Sequence, residues 1–394
     1  MVGTGAVQTT RNDMPRNSAP TLAVLGAFVV AGVVTVLLGP ILPALISRWS
    51  LTDERAGFFF TLQFTSNIAG VASLSLLLPR WGYKVTLVLG YAAIAAGLAG
   101  LNTATQIGGM AATVIYGYGL GLVLSGSNLW VAEAKESQRV SALAILNLAW
   151  GVGAIACPAL VLLAEARGAL TWFLYGAAAA AACAAVVLTA MNLGVPAQSD
   201  SHAGSATQSA SAMSAIALGA LFFLYVGTEN SVAGWAAALV KRVSAAQGHL
   251  WTLAPMFFWG GLMTGRAFVP VNPLRKRERI LVATGLLMGL AGSGILLAAS
   301  TFWGVAACVG LTGLGFAAVY PVLVAWMAKQ FGERARRVGS ILFALSALGG
   351  ATMPWLVGFF STREGSLKAG LLVPVAACVA MLGFLFWVPK RVTG

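Results

Sequence analysis

Residues 213–240 read MSAIALGALFFLYVGTENSVAGWAAALV, and Glu229 is the one charged side chain in the run. As an α-helix it would reach about 42 Å at 1.5 Å per residue, longer than the roughly 30 Å hydrocarbon core of a bilayer. Moving outward, charge-poor stretches of this kind recur twelve times. They fall near 20–46, 55–78, 85–104, 109–132, 140–164 and 169–194, then near 213–240, 250–271, 279–299, 302–328, 337–361 and 367–388. The 394-residue chain is 59% apolar and only 9% charged, with a mean hydropathy of +0.86. A typical soluble domain carries about 25% charge, so a soluble multi-domain enzyme and a disordered chain are both excluded. Membrane strands would be about ten residues long and alternate in polarity, which these stretches do not. The Ala run Ala177–Ala182 fits a buried helix.

The net charge is +13, from 24 Lys and Arg against 11 Asp and Glu. The cations sit in short clusters between spans rather than on one aromatic-rich face, which sets nucleic acid aside as a partner. With both termini cytoplasmic, only Arg48, Arg55, Arg167, Lys241, Arg242, Arg363 and Lys368 fall on the opposite side, the asymmetry expected of an even number of spans. The first apolar stretch is too long for a signal peptide and reads as a retained first helix. The expectation is an integral protein of a bacterial-type inner membrane, a monomer, with the bilayer and a small-molecule substrate as partners.

Several chemistries are ruled out by residue type. Cys157, Cys183, Cys308 and Cys378 lie in apolar stretches without CxxC spacing, so they read as small buried side chains. Two histidines, His202 and His249, cannot build a His-based metal centre. Gly117-Tyr-Gly119-Leu-Gly121 sits inside a span and follows no strand, so it serves helix packing rather than phosphate binding. No GxxxxGK[ST] occurs, which excludes ATP-driven pumping by this chain. No cofactor is expected beyond a coupling ion, proton or sodium.

The Ser-, Ala- and Gly-rich run 195–212 reads as a flexible cytoplasmic linker between an N-terminal half, 1–194, and a C-terminal half, 213–394. At a constant offset of 196, Gly117 and Gly119 fall on Gly313 and Gly315, Trp130 on Trp326, Gly153 on Gly349, and Pro158 on Pro354. The reading is an all-α polytopic membrane protein of twelve helices in two pseudo-symmetric six-helix bundles.

The loop Ser75-Leu-Leu-Leu-Pro79-Arg80-Trp81-Gly82-Tyr83-Lys84 resembles the signature loop of the major facilitator superfamily, with Pro79 where the family has an acid. A narrower resemblance lies in Tyr225-Val-Gly227-Thr-Glu229-Asn230 with Gly234-Trp235, in Asn147 with Gly151 and Pro158, in Gly265-Arg266, and in Tyr320-Pro321. These look like the fucose/galactose/gluconate:proton symporter branch and related sodium–glucose transporters. The resemblance implies alternating access, a cavity lined by helices 1, 4, 7 and 10, and a sugar moved with a proton or sodium. This chain lacks the acids which that branch carries in helices 1 and 4.

Within the spans Glu229 stands apart, because a charge at a helix centre costs about 2.5–3.5 kcal/mol on insertion scales and must face the bundle interior. It is the candidate coupling group, with Tyr225 one turn away and Asn230 beside it. Gln63, Asn67, Asn128, Asn147, Trp150, Trp259 and Tyr320 are the candidate substrate contacts, since amides and aromatic faces suit a polyhydroxylated ligand. Each amide taken singly also serves as interhelical glue, and each Trp or Tyr as an interface anchor. Arg80, Lys84, Glu133 and Arg266 are expected to gate the cytoplasmic side. The sequence reading is thus a cation-coupled sugar symporter; a proton-coupled exporter of drugs or other amphipaths is the alternative.

Overall fold

The computed structural model describes residues 18–134, 139–194, 212–244, 248–332 and 335–388. All regular structure among them is helical. The first span is two helices, α1 (Ser18–Val36) and α2 (Leu38–Trp49). Pro40 has no N–H to give the Val36 carbonyl, and the helix breaks there. The next two spans form one unit, α3 (Asp53–Gly100), which at about 72 Å is more than twice a bilayer core. It turns at Gly82, whose φ of 69° and ψ of 179° leave the helical region. Then come α4 (Gln106–Ala134), α5 (Arg139–Ala166) and α6 (Leu170–Thr189).

The second half repeats this plan. It comprises α7 (Ala212–Val243), α8 (Ala254–Phe268), α9 (Glu278–Leu296), α10 (Phe302–Phe316), α11 (Val319–Phe331), α12 (Ala335–Glu364), α13 (Leu367–Gly370) and α14 (Leu372–Phe384). The α10–α11 break follows the α1–α2 rule, because Pro321 cannot donate to the Ala317 carbonyl. Among the described residues ten helices are long and apolar enough to cross a membrane. The fold at Gly82 and the shorter segment Leu250–Phe268 complete twelve crossings.

Packing gives the symmetry. In the first half α1 lies on α5, and α4 and α6 lie on α3. In the second, α7 lies on α12, α10 on α8 and α9, and α14 on α9. The halves meet where α3 packs on α12 and α5 on α8, which is one contact made twice by a pseudo-twofold axis. The repeated glycines do the same work in each half. A β-carbon on Gly153 would sit 2.0 Å from the Val29 carbonyl oxygen, and one on Gly349 1.9 Å from that of Phe223. Both helix pairs therefore close on bare backbone. Of the expected linker 195–212, residues 195–211 lie outside the described residues.

Candidate functional site

The side on which α1 begins is called the near face here, and the side holding the α2–α3 turn the far face. On the far face, charge joins the bundles. Thr52 caps α3 by accepting from the Arg55 N–H at 3.3 Å, and this sets Asp53 and Glu54 in the first turn. Arg242, at the end of α7, donates through both terminal nitrogens to the Asp53 carboxylate, one contact at 2.7 Å. Ser361 of α12 donates to the same carboxylate, and the Glu54 N–H donates to Thr362 Oγ1 at 2.9 Å. Lys241 donates to the Pro43 carbonyl at 3.4 Å and to Ser47 Oγ at 3.3 Å, over the Trp251 ring. His249 faces Glu165 at 3.7 Å. Apart from the Thr52 cap and the Lys241–Trp251 ring contact, these contacts cross from one half to the other, so the far face is latched.

Sequence reading missed this latch because the superfamily loop directed attention to the near face. The available signal was Asp53 and Arg242, an acid and a base that the span count puts on one side. The gate expected from Arg80, Lys84, Glu133 and Arg266 is not brought together. Lys84 donates to the Thr189 carbonyl at 2.9 Å within its own bundle, and Arg80 is exposed. Glu133 contacts the Tyr83 hydroxyl. Arg266 lies elsewhere, inside the second bundle. The near-face contacts of Glu278 with Trp326 (2.8 Å) and Lys329 (2.8 Å) likewise stay within one half.

Beneath the latch is a small pocket with room for about one water molecule. Thr35, Gly39, Phe60, Gln63 and Phe64 line it from the first half, and Asn230, Gly234 and Trp259 from the second. Gln63 is already satisfied: its amide donates to the Thr35 carbonyl at 3.0 Å and its oxygen accepts from the Tyr116 hydroxyl at 3.1 Å. Asn230 uses one N–H on the Val226 carbonyl of its own helix at 2.9 Å. The Trp150 and Trp259 rings meet edge to face at 5.4 Å across the α5–α8 seam.

Glu229 stands one turn from the cavity on α7. Tyr225 contacts both Glu229 and Arg266, and its hydroxyl donates to the Phe316 carbonyl at 3.2 Å. The Arg266 guanidinium of α8 acts on Glu229 through its charge. Tyr320 of α11 feels both charges and lies 5.6 Å from the Tyr225 ring and 5.5 Å from Phe222. Glu229, Tyr225, Tyr320 and Arg266 are thus one cluster, and Arg266 is its unforeseen member. The remaining expected contacts are scattered. Asn128 and Asn147 each donate back to their own helix at 2.8 Å, Asn147 being exposed. Asn67 is half-buried on α3.

No protein-family model matches the sequence, and no curated protein does. Solved structures match the fold. A mutant of the nucleoside transporter NupG superposes with a TM-score of 0.76 at 12% identity, over 94% of this chain and all of that one (100%). NupG itself gives 0.70 at 12% identity, over 93% of this chain and 96% of the other. An inward-facing bacterial homolog of the human lysosomal transporter Spinster gives 0.68 at 14% identity, over 96% of each. The fold is the major facilitator fold.

Proposed function

We propose that the chain is a secondary active transporter, moving a small polar solute of the sugar class by cation-coupled symport and alternating access. The observation that carries this reading is Glu229: a carboxylate at the middle of α7, beside the cavity between two bundles whose far face is latched. Coupling needs a group that changes charge or binds a cation in step with conformation, and Glu229 is placed to do so. The cavity adds aromatic walls from Phe60, Phe64 and Trp259 and an amide from Asn230, which suits a ligand with both hydroxyls and C–H faces. The coupling ion is a proton or sodium. With cytoplasmic termini in an inner membrane, the far face is extracellular and the structure is closed to the outside. A monomer suffices, with no cofactor.

The test is Glu229→Gln, which keeps shape and fixes a neutral group. It is expected to abolish gradient-driven accumulation in proteoliposomes while substrate binding or exchange persists. Accumulation at the wild-type rate would remove Glu229 from coupling. Thermal-shift screening with sugars, hydrophobic cations and lipids, with and without sodium, separates the two substrate classes. Stabilisation by hydrophobic cations alone would favour the amphipath exporter.

A further inference from the structure

Glu229 lies about 14 residues before the end of α7, and Arg266 about 12 after the start of α8. The two therefore stand at matching depth below the α7–α8 turn. Arg266 acts on Glu229 through its charge, no salt bridge joins them among the described residues, and Tyr225 touches both. Arg266 Nε is buried with no hydrogen-bond partner. Among the described residues Tyr320 also feels the Glu229 charge. The neighbouring helices α2, α10, α12 and α14 carry charged residues only at their ends, where they have any. The cluster thus holds one fixed cation, one titratable anion and phenols.

Resting on the transport reading above, we infer that the solute carries one anionic group, a carboxylate in the simplest case, and crosses with one proton. The anion takes Arg266, and the proton adds to the Glu229 carboxylate to give the neutral acid. Charge balance makes the two loadings interdependent. With the site empty, the charges of Glu229 and Arg266 cancel. A proton alone leaves Arg266 uncompensated inside the bundle, and an anion alone leaves Glu229 so. Both singly loaded states bury an uncompensated charge and are disfavoured. Only the empty and doubly loaded states are neutral enough to reorganise, and that enforces coupling. A guanidinium has five donors and no acceptor, so it recognises carboxylate geometry and is wasted on a neutral polyol. Transport that moves one proton with one anion carries no net charge.

The experiment uses the purified full chain and matched probe pairs: glucuronate against glucose, and gluconate against sorbitol. The carboxylates should raise the melting temperature and enter proteoliposomes, and the neutral partners should do neither. Apparent affinity should weaken about tenfold per pH unit once Glu229 is ionised in the unliganded protein. A pH gradient should drive uptake, and a potassium–valinomycin potential of either sign should leave its rate unchanged. Glu229→Gln should bind the carboxylates with an affinity independent of pH, a gain that a damaged protein would not show. Arg266→Gln should lose the preference for carboxylates, and Arg266→Lys should keep part of it. Equal stabilisation by the neutral partners, pH-independent affinity in the wild type, or uptake that carries current overturns the inference. Gradient-driven uptake of a neutral sugar overturns it while leaving secondary transport in place. Failure of all four probes to accumulate on any gradient overturns both.

Discussion

Gln63 and Asn230 line the same cavity, yet their hydrogen bonds set them apart. Gln63 is 3% exposed, and both ends of its amide are engaged by Thr35 and Tyr116, so it ties α1, α3 and α4 together. Asn230 spends one donor on its own helix and keeps its oxygen and second N–H for other partners. Gln63→Leu should therefore lower thermal stability in detergent, by about 0.6–1.7 kcal/mol on the scale of interhelical hydrogen bonds, and leave ligand affinity nearly unchanged. Asn230→Leu should do the reverse. A loss of affinity in Gln63→Leu without a change in melting temperature would place Gln63 among the ligand contacts instead. Glu229 was legible in the sequence because a charge within an apolar run has few tolerable positions. Its partner was not, since Arg266 falls near a helix end, where a cation usually reads as an interface anchor. Only the packing of α8 against α7 turns it inward.

At the scale of elements, the spans were legible because each must hide its backbone from lipid within one helix, and composition alone reports that. The breaks were less so. The second and third spans read as separate helices ending near 78 and starting near 85; they are two helices, but the break between them is the single residue Gly82 rather than a loop of several residues. Pro79 and Gly82 supply the bend: the first removes a donor, and the second takes a φ of 69° that other residues avoid. A β-carbon at Gly82 would meet nothing nearer than the Gly194 carbonyl oxygen at 3.7 Å, so space is not the constraint. Gly82→Ala should consequently destabilise by about 1–3 kcal/mol through backbone conformation alone. Thermal unfolding of the purified variant checks this. A melting temperature equal to wild type would mean that the turn relaxes without cost.

For the molecule as a whole, the two halves are held by unlike means at different levels. The α3–α12 and α5–α8 contacts are symmetry-related packing of small residues and aromatics, whereas the far face is closed by the polar latch of Asp53, Arg242 and Ser361. Packing surfaces related by a twofold axis can act as pivots, because rocking one half changes both alike. The latch must break for the far face to open, and so must the contact of His249 with Glu165, onto which Asp53–Ser361 maps at the offset of 196. The Arg242 side chain is 39% exposed and that of Asp53 10%, so the pair contributes on the order of 1 kcal/mol, small enough to be released in the transport cycle proposed above. A covalent link at the same place would not be released. Asp53 and Ser361 are joined side chain to side chain, so Asp53→Cys with Ser361→Cys brings two thiols within disulfide reach. Oxidation of the double variant should stop accumulation and exchange together, and a reducing agent should restore both. Each single variant should transport, with the far face more accessible to a maleimide at Phe60→Cys. Undiminished exchange by the oxidised, fully cross-linked protein would show that the far face need not open, and alternating access about this seam would be wrong.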